Sequence, residues 1–183
     1  MEALKLNEFT FDDYYQISQN NRCELIFGEI VMMASPSDFH QLITGNIFNT
    51  LKNRMRAKEN PCLVRISPYD IKLKNQQSEN VVQPDVMVFC DKDNIKKEVN
   101  NIPTVVFEVT SPSTSKNDYS SKRELYELFG IKEYYIISPE YKTVQKFVLK
   151  EGKLQSENIF VENQKFTIDI LQEEIEIKEL FEE

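Results

Sequence analysis

At 183 residues, 40% hydrophobic and 28% charged, the chain is long enough for one domain with a substantial core. A formal net charge of −8 argues against non-specific attraction to phosphate backbones, although a locally basic cleft or a bound metal ion reverses the sign of an acidic site. The segment Met1 to Glu8 lacks a basic stretch followed by a long apolar one, and no run approaches the ~18 apolar residues that span a membrane; a soluble, cytoplasmic protein with no membrane partner is expected.

Thr10 caps a short helix over residues 10–17. Cys23 to Phe27 and Ile30 to Met33 form a hairpin about a turn at Gly28-Glu29. Ser35-Pro36-Ser37 then introduces a long helix whose apolar positions Phe39, Leu42, Ile43, Ile47, Leu51 and Met55 recur at helical spacing. Lys52, Arg54, Arg56 and Lys58 crowd its C-terminal turns, either as a solvated helix end suited to the dipole or as a track for a nucleic-acid backbone.

Beyond Pro61, Leu63 to Ile66 and Tyr69 to Leu73 read as strands, Asn75 to Asn80 as a loop, Gln83 to Phe89 as a strand, and Asp91 to Asn101 as an exposed charged loop. Thr104 to Thr110 is a further strand. Ser111-Pro112-Ser113-Thr114-Ser115 supplies N-cap candidates for a helix running to Phe129, with Gly130 at the C′ position. Ile131 to Ser138 and Thr143 to Leu149 are strands, the tail has strand-like pieces around Ile159 and Phe166, and residues 177–181 suit a short terminal helix. The strand–helix–strand unit over residues 105–137 calls for a right-handed crossover, while hairpins dominate elsewhere. No repeat, low-complexity tract or linker interrupts the chain, so residues 1–183 are expected to be a single α/β (mixed α+β) domain. Cys23, Cys62 and Cys90 lie in apolar segments without CxxC spacing and are expected to be buried free thiols rather than redox or zinc residues.

Two carboxylates stand out. Asp85 and Glu108 each lie inside an apolar strand-like run, where an ionised group is costly unless a cation or hydrogen-bond donors compensate it. A divalent cation between them and a carboxylate pair bonded to a lysine are both open solutions. Alternation places Val106, Glu108 and Thr110 on one face of their strand and Val105, Phe107 and Val109 on the other. On the next helix Asp118, Lys122 and Tyr126 share a face, beside Leu125, Leu128 and Phe129 as the docking residues. Lys122 can then reach Glu108. Two carboxylates and a lysine suit metal-assisted phosphodiester hydrolysis; on spacing alone, an ion pair that merely docks the helix fits equally. His40 is the only histidine, so neither a Ser-His-Asp triad nor a His-rich zinc site fits one chain. Tyr14, Tyr15, Tyr134 and Tyr135 are read as core or interface aromatics.

The ordered set Glu24-Leu25-Ile26-Phe27-Gly28-Glu29, His40, Asp70, Pro84-Asp85, Glu108-Val109-Thr110, Asp118, Lys122, Tyr126 and Gly130 resembles the Uma-two family of the PD-(D/E)XK nuclease superfamily, over roughly residues 8 to 150. The resemblance implies a restriction-endonuclease-like mixed β-sheet core flanked by helices, a Mg²⁺-dependent (or Mn²⁺-dependent) endonuclease acting on DNA, and a homodimer. Asp85, Glu108 and the Val109 carbonyl would hold the metal, with Asp85, Glu108 and Lys122 catalytic. Glu24, His40, Asp70, Thr110 and Tyr126 are candidate site-lining residues; for Asp70 a solvent-facing strand position is equally open, and for His40 a satisfied helix-face role. Thr110 stands where the superfamily's usual lysine would be, and Lys122 is its replacement. A nuclease fold kept as a binding or regulatory module, and a hydrolase of smaller phosphate esters, are the competing readings.

Overall fold

The computed structural model describes residues 8–111 and 115–182. The leader-free reading of Met1 to Asn7 and the N-cap candidates Pro112, Ser113 and Thr114 lie outside the described residues. In chain order the elements are α1 (Phe11–Ser18), β1 (Cys23–Ile26), β2 (Glu29–Met32), α2 (Asp38–Ala57), β3 (Leu63–Ile66), β4 (Ile71–Lys74), β5 (Glu79–Val82), β6 (Val86–Phe89) and β7 (Val105–Val109). A crossover helix (residues 115–128) follows, then β8 (Glu133–Ser138), β9 (Thr143–Lys150), β10 (Lys153–Phe160), β11 (Lys165–Ile168), β12 (Glu173–Glu176) and a 3₁₀ turn at Ile177–Leu180.

A six-stranded sheet in the order β10-β9-β8-β7-β6-β3 carries the fold. Its strands are antiparallel except for β7 and β8, which run parallel and are joined by the crossover helix. Alternation along β7 sorts the two cores. Val105, Phe107 and Val109 face α2, whose Ile43, Ile47, Leu51 and Met55 recur every fourth residue and are buried. Phe166, Ile168, Ile175 and Leu180 of the C-terminal hairpin and turn close that same core. Val106 faces the other side, with Leu125 and Tyr126 of the crossover helix and with Ile26, Ile71, Leu73 and Val82 of a second sheet, ordered β2-β1-β5-β4. The result is the mixed α+β architecture expected from the strand–helix pattern.

Local chemistry explains the joints. Ser37 caps α2, its hydroxyl accepting from the His40 N–H at 3.2 Å. The β1–β2 turn has φ of +50° at Phe27 and +79° at Gly28, the two left-handed positions of a tight hairpin, and a Cβ on Gly28 would sit 2.7 Å from Glu8 Cβ. Arg54 donates to both Glu179 carboxylate oxygens at 2.9 and 2.7 Å and also to the Glu174 carbonyl, and Lys58 pairs with Glu173 at 2.9 Å. The basic end of α2 therefore clamps the C-terminal hairpin.

Several expectations are corrected. Glu79 and Asn80 belong to β5 rather than to the loop expected over Asn75 to Asn80, because they pair with Lys74 and Leu73 across the ladder. Asp85 precedes β6 instead of lying within the strand. Leu128 does not dock the crossover helix; it is 53% exposed, and Leu125 and Tyr126 fill the interface. Cys62 and Cys90 are not free thiols: they face each other at the β3–β6 pairing, Cα atoms 4.1 Å apart, and are disulfide-bonded, while Cys23 is the buried free cysteine. Among the described residues no helix is long and apolar enough to cross a membrane.

Leu51 is fully buried between α2 and the sheet. Leu51→Ala is expected to lower unfolding free energy by about 2–5 kcal/mol in urea denaturation; a loss below ~1 kcal/mol would mean that this face of α2 does not carry the core.

Candidate active site

The β6–β7 register pairs Val86 with Phe107 and Val88 with Val105. Extending it by one position sets Asp85 opposite Glu108, and residues directly opposite in an antiparallel pair share a face. Asp85 Oδ2 accepts the Val109 N–H at 2.7 Å, which fixes the carboxylate against the end of β7. Both acids line one cavity of about 320 Å³, together with His40, Asp118 and Lys122.

Lys122 reaches this cavity from the crossover helix. That helix is α-helical over Ser115–Asn117, π-helical over Asp118–Lys122 and α-helical again over Arg123–Leu128. π-helical turns recur at functional sites because they re-aim side chains. Here the Tyr134 hydroxyl donates to the Asp118 carbonyl at 3.0 Å, supporting the widened turn from β8. Lys122 Nζ lies 3.0 Å from Glu108 Oε1, 3.0 Å from Glu24 Oε1 and 3.8 Å from Asp118 Oδ1. The Tyr126 hydroxyl donates to Glu108 Oε1 at 2.7 Å, one helical turn further on. Glu24 Oε1 also accepts the Gln83 N–H at 2.8 Å, tying β1 to the segment that carries Asp85.

The electrostatics are lopsided. Glu24, Asp85, Glu108 and Asp118 surround one ammonium, and Glu108 and Lys122 are only 3% and 4% exposed. Burial opposes the charge on Lys122, yet Glu108, Glu24, Asp118 and Asp85 outweigh it and hold the amine well above its ordinary pKa. It is a fixed cation, not a base. Burial pushes the Glu108 carboxyl well above the usual range; Lys122 pulls it down, while the neighbouring carboxylates add to the rise. Such a surplus of negative charge favours an added cation. His40 Nε2 stands 3.3 Å from Asp85 Oδ2. Burial disfavours its charged form, but Asp85, the Val109 backbone and Asp118 outweigh that and raise its pKa.

The donor set bears on which metal fits. Among the described residues no group of three or more His, Cys, Asp and Glu side chains converges as a metal cage. Among the described residues the hydrogen bonds to these carboxylates fall on Asp85 Oδ2 and Glu108 Oε1, leaving Asp85 Oδ1 and Glu108 Oε2 for a cation. That suits a hard ion which keeps several waters, such as Mg²⁺, and not a zinc site of four protein ligands.

The candidate residues separate clearly. Asp85, Glu108, Lys122, Glu24, His40 and Tyr126 come together, and the Val109 backbone lies on the cavity wall. Asp70 does not reach it; its carboxylate accepts from Gln83 Nε2 at 2.8 Å and the Tyr14 hydroxyl at 3.4 Å, behind Glu24. Thr110 turns its hydroxyl to the Ile137 carbonyl at 3.2 Å and lines a neighbouring cavity. Gln83, bridging Glu24 and Asp70, and Arg22 on the cavity rim carried no signal beyond adjacency to Asp85 and Glu24.

Lys122→Met removes the ammonium from this buried acidic cluster and is expected to cost about 3–5 kcal/mol of unfolding free energy. Denaturant titration checks this; unchanged stability would mean that the carboxylates do not depend on the ammonium.

Residues 11–178 match the Uma2 family model, described as "Putative restriction endonuclease". "Uncharacterized protein slr1290" of Synechocystis sp. is 29% identical over 109 residues, 59% of this chain and 55% of that protein, so the chain spans about half the length of the curated relative it matches. A crystal structure from Anabaena variabilis, described as "a putative nuclease belonging to DUF820", matches with a TM-score of 0.74 at 17% identity, covering 94% of this chain and 97% of that one. That likeness is one of fold. Taken with the family match across nearly the whole length, it makes this chain a member of the Uma2 family of restriction-endonuclease-like proteins.

Proposed function

We propose that the chain is a Mg²⁺- or Mn²⁺-dependent endonuclease hydrolysing DNA phosphodiester bonds, with Asp85 and Glu108 as metal ligands and Lys122 as the catalytic cation. The reading rests above all on Lys122 Nζ standing 3.0 Å from Glu108 Oε1, although position 110 is threonine. Lys122 thus supplies from the crossover helix the cation that Thr110 cannot, beside a carboxylate pair with oxygens left for a metal. The family match to restriction-endonuclease-like proteins supports the same class of reaction.

In this reading Asp85, Glu108 and the Val109 carbonyl hold the metal, which supplies an acidified water and neutralises charge on the phosphate when bound. The remaining work falls to the chain's own groups. Lys122 is kept protonated by its carboxylate neighbours, so it donates hydrogen bonds to the attacking water or to phosphate oxygens and stabilises the charge of the pentacovalent phosphorus. Glu24 fixes the ammonium from β1, and Tyr126 fixes Glu108 from below. His40 steadies Asp85 at the cavity mouth. The Val109 N–H holds the Asp85 carboxylate in one orientation, so little reorganisation accompanies reaction.

Asp85→Asn and Glu108→Gln are each expected to reduce Mg²⁺-dependent cleavage of plasmid or single-stranded DNA by at least about a hundredfold, with near-wild-type circular dichroism. Lys122→Arg should retain more activity than Lys122→Met. Wild-type protein that leaves every DNA form intact with both Mg²⁺ and Mn²⁺ would overturn the proposal.

A further inference from the structure

A second cavity, of about 410 Å³, adjoins the first and shares Ser37, His40 and Ser111 with it. It lies at the carboxyl ends of the parallel pair: Thr110 follows β7 and Ser138 ends β8. In open α/β sheets this end is where ligands bind. Its lining is unlike that of the carboxylate cavity. Among the described residues that line it hydroxyl groups dominate, Glu140 is the one acidic residue, His40 is shared with the first cavity, and no lysine or arginine contributes. Two tyrosines border it, Tyr119 from the crossover helix at 39% exposure and Tyr141 from the β8–β9 turn at 71%. The turn is held by the Tyr141 N–H donating to the Ser138 hydroxyl at 3.4 Å.

From these features, and resting on the nuclease reading above, we infer that this cavity receives an unpaired nucleobase next to the scissile phosphate, and that the substrate is single-stranded DNA rather than uninterrupted duplex. Among the described residues His40, already engaged with Asp85, is the one lining group that can carry positive charge, and a flat, neutral base finds aromatic faces and hydroxyl partners there. Stacking on tyrosine is tolerant of base identity. Duplex affinity, by contrast, comes from many phosphate contacts by Lys and Arg. Here 30 Asp and Glu outnumber 22 Lys and Arg, for a net charge of −8, and Arg54 and Lys58 at the end of α2 are engaged with the C-terminal hairpin. Access points the same way. Glu108 is 3% exposed at the base of a small cavity, which a flexible strand can enter by bending and a stiff duplex cannot.

The test is a pair of measurements on the full chain. In EDTA, single-stranded oligonucleotides carrying 2-aminopurine are titrated with wild type, Tyr119→Ala, Tyr141→Ala and Tyr141→Phe, beside a duplex of the same sequence. Wild type should quench the probe and bind single strands at least tenfold more tightly than duplex. Each alanine variant should weaken binding about five- to hundredfold, Tyr141→Phe should bind as wild type, and all should keep the wild-type unfolding midpoint. Equal or tighter duplex binding, or alanine variants that bind as wild type, would overturn the inference. Cleavage with Mg²⁺ or Mn²⁺ separates the two claims. DNA cut with no strand preference and no effect of either alanine overturns the base site and leaves the nuclease reading standing. Tyrosine-dependent binding of single strands with no cleavage upholds the base site and overturns the nuclease.

Discussion

The Lys122 ammonium sits where water barely reaches, and the surrounding structure is arranged to keep it charged. Glu108, Glu24 and Asp118 come from three different elements, β7, β1 and the π-helical turn, and meet within 4 Å of one nitrogen. A buried charge left without partners would cost several kcal/mol, so the contact couples the two sheets and the crossover helix to one another. Tyr126 and Gln83 extend the coupling by bonding Glu108 and Glu24. The cluster nevertheless carries more negative charge than one lysine balances. That surplus is what a divalent cation would satisfy, and under the proposed function stability and chemistry fall on the same residues.

Ordinary secondary-structure geometry delivers these groups. The antiparallel register of β6 and β7 sets Asp85 across from Glu108, and the parallel crossover from β7 to β8 returns the chain over the face that Glu108 occupies. The opposite face of β6 and β7 presents Val86, Val88, Val105, Phe107 and Val109 to α2. Both faces pack a hydrophobic core, and the two-residue period of a strand places Glu108 in the core shared with the crossover helix.

Much of this was legible in the sequence, and the reasons are specific. Glu108 interrupts an alternating run, so its face was fixed by parity alone. Lys122 and Tyr126 lie four apart on a helix directly after that strand, and the π-helical turn preserves their common direction. Long-range partners were not legible. The pairing of Cys62 with Cys90 depends on the β3–β6 register, and the clamp of Arg54 on Glu179 joins residues 125 positions apart. Polarity misled at Glu79 and Asn80, where the ladder with β4 outweighs weak strand propensity. Leu128 misled in the other direction, since an apolar residue near the end of a helix need not face the core. Asp70 shows the limit of counting carboxylates: Gln83 and Tyr14 hold it one layer behind the cavity.

The account stands on Asp85 and Glu108 being a cation site that Lys122 adjoins. Calorimetric titration of Mn²⁺ and Mg²⁺ into the wild-type protein, with Asp85→Asn and Glu108→Gln alongside, tests this most directly. Saturable binding to the wild type is expected, lost in both variants while each stays folded. Absence of binding to the wild type, or binding that survives both substitutions, would contradict it.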